Sequence, residues 1–145
     1  MQKHTIKTIS LILVLALCLS VPAMATEARA SGAKASLYIS ACSGAATAIG
    51  SGKVTVSFSI TGKSKMTELG VTQIAIKNPS GQTVKTYFYT DSGCSSMMGY
   101  NKTLHNGSVT YQGVSGNTYY AVIYFRATNA NGSDTDMYTT YTVIA

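Results

Sequence analysis

The sequence predicts an all-β fold, an antiparallel β-sandwich of about seven strands over residues 36–145. Several segments of this region alternate apolar and polar residues with a period of two, as strands with one buried face do. Clusters rich in Gly, Asn and Ser separate these segments, and such clusters are typical of turns. The region contains one proline and no long segment with the period of an amphipathic helix. This pattern of short strands and turns is that of a sandwich.

Residues 1–25 have the organisation of a secretory signal peptide. Lys3 and Lys7 precede the unbroken apolar run 11–19, and the small-x-small sequence at 23–25 fits a cleavage site. We therefore expect a signal-peptide helix that is cleaved after its last alanine, and a protein that is secreted.

Two alternatives to cleavage remain open, lipidation of Cys18 and a retained anchor. Lipidation requires a small residue before the cysteine, and Leu17 is bulky. A membrane span needs about 20 apolar residues, more than this run supplies. After cleavage we expect no membrane span, and residues 26–35 form a flexible leader before the domain.

The first half of the domain contains two predicted strands and one irregular segment. Residues 36–41 alternate, and a stretch of small residues follows them. Residues 54–60 place Val and Ile with Phe58 on one face and Thr and Ser on the other. In residues 61–70, the spacing of Met66 and Leu69 predicts one helical turn across the end of the sheet.

The middle of the domain is predicted to contain a pair of strands and a loop. A third strand begins at Ile74 and ends at the Asn-Pro-Ser-Gly turn, residues 78–81. Residues 84–89 form the return strand. Residues 91–99 form a loop, in which the pair at 97–98 is expected to close the core, with a binding tip as the alternative.

The last part is the richest in strands. A strand at 109–111 precedes a turn at 113–116, and the segment 119–128 is apolar on both faces and therefore central. After a turn at 129–132, residues 137–144 close the sheet. We expect the segments around Phe58 and Phe125 to be paired core strands, with Ile60 and Ile123 also inside.

The segment from Gly116 to Ser133 resembles the penultimate strand and final hairpin of fibronectin type III domains. It has a tyrosine after a Gly/Thr turn, alternating apolar residues, and then Ala127-Thr128-Asn129-Ala130-Asn131-Gly132-Ser133, which fits Ala-x-Asn-x-x-Gly-Ser. It departs from the family in the spacing of Tyr119 and in having no Trp. The resemblance implies an immunoglobulin-like or fibronectin-III-like sandwich. The whole chain is also similar to small secreted proteins of Gram-positive bacteria.

Charge excludes one class of partner. After removal of residues 1–25, nine basic and five acidic residues remain, a net charge of +4. The basic side chains are scattered, and binding to nucleic acid requires a concentrated basic footprint. We therefore expect no nucleic-acid partner, although weak attraction to an anionic cell envelope is compatible with this charge.

Two cysteines remain after cleavage, Cys42 and Cys94. An even number of cysteines in an oxidising compartment favours a disulfide. Closing a loop of this length stabilises the fold by about 4 kcal/mol at most. Free thiols are the alternative.

Titratable residues give no catalytic pattern. His105 lies beside Asn106-Gly107 and is expected to be a solvated loop residue, and the chain contains neither a Gly-x-Ser-x-Gly nor a His-Glu-x-x-His motif. We predict no enzyme activity, no catalytic residue and no cofactor.

A calcium site is the one metal hypothesis that the sequence offers. Asn129, Asn131, Asp134 and Asp136 place oxygen ligands at short intervals around a glycine, as calcium loops do. The alternative is an ordinary Asn-Gly hairpin turn.

Ten tyrosines are too many for one small core. Tyr111, Tyr119 or Tyr141 fit core or corner positions with a bonded hydroxyl. The other tyrosines must lie on an exposed face together with Ser and Thr side chains. We predict that Tyr87, Tyr89, Tyr120 and Tyr124 form a binding face. Tyr with Ser, Gly and Asn is the composition of adaptable binding surfaces, whereas β-propensity alone is the alternative explanation.

These observations predict a secreted, non-enzymatic binding or adhesion module. It would act at the cell envelope or beyond it, on a cell-wall polysaccharide, peptidoglycan or an extracellular protein. The alternative is a secreted cationic effector or antimicrobial protein.

Overall fold

Seven antiparallel strands form the fold in the computed structural model, which describes residues 36–145. The predicted signal peptide and leader lie outside these residues. The strands are β1 (Ile39–Gly50), β2 (Lys53–Lys77), β3 (Thr83–Phe88), β4 (Met98–Gln112), β5 (Thr118–Asn129), β6 (Gly132–Thr139) and β7 (Val143–Ile144). A 3-10 turn, η1, spans Ser95–Met97. The all-β prediction is confirmed, and within 36–145 no helix is long and apolar enough to cross a membrane.

The 25-residue strand β2 organises the sheet. Residues 53–61 lie between β1 and β4, residues 68–70 lie between β4 and β5, and residues 73–77 lie between β5 and β3. The β1–β2 turn is tight, and Gly50, Ser51 and Gly52 all have positive φ. Glycine adopts this conformation without the steric cost that Ser51 bears there.

The helical turn predicted for residues 61–70 is wrong, because this segment is continuous strand within β2. The pairing of β2 with β4 shifts between Thr61 and Met66, and the pairing with β5 shifts between Val71 and Gln73. Such bulges change which face a strand buries. Met66 and Leu69 are both buried although they lie three residues apart, and no register shift separates them, so alternation places them on opposite faces of β2.

The strand β1 is longer than predicted. The small-residue stretch after Ala41 continues as strand to Gly50. Its inward positions Cys42, Gly44 and Ala46 are small because β5 and β6 lie close beneath them. A Cβ atom added to Gly44 would overlap the side chain of Ile123.

The predicted core residues Phe58, Ile60, Ile123 and Phe125 are all buried, which confirms their facing. Their segments are not paired, however, because β5 pairs with the second half of β2. The two segments meet through side chains instead, and the rings of Phe58 and Phe125 pack edge to face with centroids 6.4 Å apart.

Other strand boundaries also differ from the predicted ones. The strand predicted at 109–111 is the end of β4, and the closing strand predicted at 137–144 is divided into β6 and β7. The central position of β5 between β2 and β6 is confirmed. Met97 and Met98 are buried, so the expectation that they close the core is confirmed.

Candidate binding face

The clearest candidate site is the outer face of four neighbouring strands, β3, β2, β5 and β6. Phe88, Gln73, Tyr124 and Met137 lie directly opposite one another across these strands, in that order. Directly opposed residues in antiparallel strands project from the same face. Ile123, the neighbour of Tyr124, is fully buried, so alternation along β5 turns this row toward solvent.

The face continues along β5 to Tyr120, which lies opposite Lys77. Between Tyr120 and Tyr124 lies the small opposed pair Ala75 and Val122, and both of these side chains are buried. The two tyrosines are about 13 Å apart along the strand, and the row across four strands spans about 14 Å. We define the aromatic face as Phe88, Gln73, Tyr124, Met137 and Tyr120.

Two large apolar side chains of the aromatic face are exposed, and they belong to the same row. Phe88 is 44% exposed and Met137 is 40% exposed, and both tyrosines are partly exposed. Aromatic and Met side chains are enriched where proteins bind partners. The face can therefore bury apolar area against a ligand while the tyrosine hydroxyls and the Gln73 amide supply hydrogen bonds.

Charged residues border this face at both ends. At one end, Arg126 Nη2 donates to Glu68 Oε2 at 2.6 Å, and its guanidinium lies 5.4 Å from the centroid of the Tyr89 ring. At the other end, Lys77 Nζ donates to Thr83 Oγ1 at 2.9 Å. The pair of Arg126 and Glu68 is neutral as a whole, whereas Lys77 donates to uncharged acceptors and keeps its positive charge.

The structure places the four predicted binding tyrosines differently. Tyr120 and Tyr124 share the aromatic face, and Tyr89 lies at its border against Arg126. Tyr87 lies opposite Ile74 and therefore on the inner face, where its hydroxyl donates to the Thr110 carbonyl at 3.0 Å. Burial raises the pKa of Tyr87.

The sequence prediction missed Phe88, Gln73 and Met137. Phe88 alternates with Tyr87 and Tyr89, which signals that the three cannot share one face. Nothing local identifies Gln73 or Met137, because their membership of the row depends on the register of four strands.

The predicted calcium ligands are not assembled into a site. Asn129 Oδ1 accepts a hydrogen bond from the Asn131 amide at 2.8 Å, which stabilises the hairpin turn. Asp134 Oδ2 instead accepts from the Tyr38 amide at 2.7 Å, and Asp136 bonds to Cys42. Within residues 36–145, no group of three His, Cys, Asp or Glu side chains could hold a metal. Residues 129–132 form a hairpin turn between β5 and β6.

The predicted disulfide is wrong, because Cys42 and Cys94 are both free thiols. The inward side chain of Cys42 points to β6, where its thiol donates to Asp136 Oδ2 at 3.4 Å. Cys94 is buried at the start of η1, which packs on β4 and β2. Burial, and then the charge of Asp136, raise the pKa of Cys42 to about 12.

His105 is not a solvated loop residue. It lies within β4, it is buried, and its Nε2 is 2.9 Å from the Ser96 carbonyl oxygen. Its ring centroid is 6.0 Å from that of Phe58. The histidine thus fills space between the core and η1.

The corner tyrosine expected near the start of the long strand is Tyr119. It is buried, and its hydroxyl accepts a hydrogen bond from the Val114 amide at 3.1 Å. This bond lowers the pKa of Tyr119. Tyr111 packs edge to face against it, whereas Tyr141 is exposed and is not a core residue.

Comparison with known proteins finds no matching family model, no matching curated protein and no matching solved structure.

Proposed function

We propose that this chain is a secreted, non-enzymatic binding module whose aromatic face holds a neutral polysaccharide of the cell wall. The observation that carries the proposal is the solvent-exposed row Phe88, Gln73, Tyr124 and Met137, extended by Tyr120. Secretion rests on the signal-peptide pattern of residues 1–25.

The fold that we propose for this module is a two-layer sandwich of the immunoglobulin or fibronectin type III kind. One layer would be β1, the first half of β2, and β4. The other would be β6, β5, the second half of β2, and β3. The contact of Phe58 with Phe125 and the hydrogen bond from Tyr87 to Thr110 support two layers. Phe58 lies in the part of β2 that does not pair with β5, and β3 does not pair with β4.

A polysaccharide suits this face for chemical reasons. Pyranose rings carry apolar C–H faces and hydroxyl edges. Tyr and Phe offer flat apolar surface with a polar handle, and Gln offers both a donor and an acceptor. The ion pair with Glu68 offsets the charge of Arg126 at one end of the face, which favours a neutral ligand over a strongly anionic one.

The test is a binding isotherm on purified, insoluble cell-wall polysaccharide with the protein produced from the full chain. Truncating an aromatic residue at the centre of an interface costs about 2 kcal/mol or more, so Tyr124→Ala should weaken binding at least tenfold. Tyr141→Ala is the matched control, because it removes an exposed tyrosine outside the aromatic face. It should bind like the wild type.

Three outcomes would contradict the proposal. The wild type could fail to bind the polysaccharide, or both variants could lose binding equally. The protein could instead kill competitor cells without binding their walls, which would favour a cationic effector.

A further inference from the structure

Within residues 36–145, five strands are each hydrogen-bonded along one side only, namely β1, β3, β4, β6 and the two-residue β7. The free side of an edge strand presents unpaired N–H and C=O groups to any other strand. Proteins usually block such edges with charges, proline, bulges or side-chain caps.

The edges of β3 and β4 are blocked. In β3, which has six residues and includes Lys85, the Phe88 amide donates to Asp91 Oδ2 at 2.9 Å. In β4, the Thr110 carbonyl accepts from the Tyr87 hydroxyl, and Asn101 interrupts the strand with a φ of 56°.

The edge of β6 is blocked as well. The Met137 amide donates to Asp136 Oδ1 at 2.7 Å, which occupies an N–H group of the strand. Asp134 and Asp136 lie opposite the core residues Ala127 and Phe125, so both carboxylates point inward. Inward-pointing charge on an edge strand opposes the addition of a further strand.

The edge of β1 has none of these features. Residues 41–48 contain no charged residue and no proline, and their pairing with β2 runs without a bulge. Within 36–145, no side chain forms a hydrogen bond with the backbone of this segment. Its outward side chains, Ala41, Ser43, Ala45 and Thr47, are small and exposed, so another backbone can approach closely.

We propose that β1 is a docking strand for a second copy of this chain, paired antiparallel about a two-fold axis. A two-fold axis makes the same strand its own partner, so the uncharged edge is complementary to itself. The pairing would satisfy the free backbone groups of residues 41–48 in both copies. It would also join the sheets of the two copies into one wider sheet, with the exposed Ser, Thr and Ala side chains of both β1 strands on the same surface.

The test compares two lysine substitutions in one row of the sheet. Ala45 on β1 and Ser108 on β4 both lie opposite Ser57, on opposite sides of β2, and both are exposed. In a dimer through β1, Ala45→Lys places like charges close to the two-fold axis. We expect it to weaken dimerisation at least tenfold, whereas Ser108→Lys should leave the dimer intact.

Sedimentation equilibrium of the protein produced from the full chain measures the monomer–dimer constant, and circular dichroism with a thermal melt checks that each variant folds. Supporting results are a wild-type dimer, loss with Ala45→Lys, and retention with Ser108→Lys. The proposal is overturned if the wild type is monomeric at about 1 mM, or if folded Ala45→Lys still dimerises. Equal loss with Ser108→Lys, or growth beyond the dimer, would also overturn it. If Ala45→Lys does not fold, Thr47→Lys on the same face of β1 replaces it, and this variant too should weaken dimerisation.

Discussion

Phe58 is the residue through which distant parts of the chain meet. Its ring packs on Phe125 of β5 and on His105 of β4, and it leaves space only for hydrogen at Gly107. Interiors are packed so tightly that neighbours cannot fill the space of a lost ring. The stability of the contact between β2 and β5 therefore depends on this side chain.

Replacing Phe58 with Ala should lower the free energy of unfolding by about 3–5 kcal/mol, the usual cost of deleting a buried aromatic ring. Phe88→Ala is the matched control, since the same truncation at a 44% exposed position leaves no cavity. Denaturant titration measures both. A loss below about 1 kcal/mol for Phe58→Ala would show that the core packing is not as described.

Cys42 illustrates how one neighbour controls the chemistry of a thiol. Burial and the carboxylate of Asp136 both oppose formation of a thiolate, so the pKa is raised from 9.0 to about 12. Because the thiolate is the reactive form, the folded protein protects this cysteine.

We expect Cys42 to react slowly with a disulfide reagent at pH 8 in the folded protein and rapidly after denaturation. Asp136→Asn removes the negative charge beside the thiol and should accelerate the reaction, whereas Asp134→Asn should not. Release of the reagent's thiol chromophore measures the rate.

The same shift has a consequence for stability. A folded-state pKa above the unfolded value contributes stability that is fully present below pH 9 and is lost as pH rises toward 12. A Cys42→Ser variant should therefore lose less stability than the wild type across this range, and equal pH profiles would contradict the assignment.

At the scale of elements, the segment before β1 is held by β6. Asp134 Oδ2 accepts hydrogen bonds from the Ser36 hydroxyl and from the Tyr38 amide, both at 2.7 Å. The bond from Ser36, followed by that from Tyr38, lowers the pKa of Asp134. A single carboxylate thus fixes where the chain enters the sheet.

Asp134→Ala should reduce the hydrogen-exchange protection of the Tyr38 amide and leave that of the Phe88 amide unchanged. Asp91→Ala is the matched control and should do the reverse, because Asp91 accepts from Phe88. A lowered pKa stabilises the contact above the unfolded value of 3.8, and the stabilisation is lost as pH falls through the folded value. The difference between wild type and Asp134→Ala should therefore vanish in acid, and a difference that persists there would refute this role.

At the scale of the whole molecule, the two proposed surfaces lie on different halves of β2. The aromatic face is built on residues 73–77, whereas β1 pairs with residues 53–62. In a dimer through β1, each copy would therefore keep its aromatic face, because β1 forms no part of that face. Two linked sites on a repetitive polymer bind with greater avidity than one site alone.

Local patterns in the sequence were sufficient for much of this fold. Alternation identified the buried faces around Phe58 and Phe125, and Asn, Pro and Gly located the turns at 78–81 and 129–132. Both signals are local, because a strand buries every second residue and a turn needs particular φ values whatever the rest of the chain does.

Tertiary structure alone decided which strands became neighbours. Residues 43–50 carry no apolar alternation and are strand because β2 pairs with them, and residues 61–70 stay in β2 through bulges. The aromatic face depends on the register of four strands, and a shift of one residue would turn each side chain to the other face. Because register is set by long-range packing and not by local propensity, the sequence predicted two tyrosines of this face but not Phe88, Gln73 or Met137.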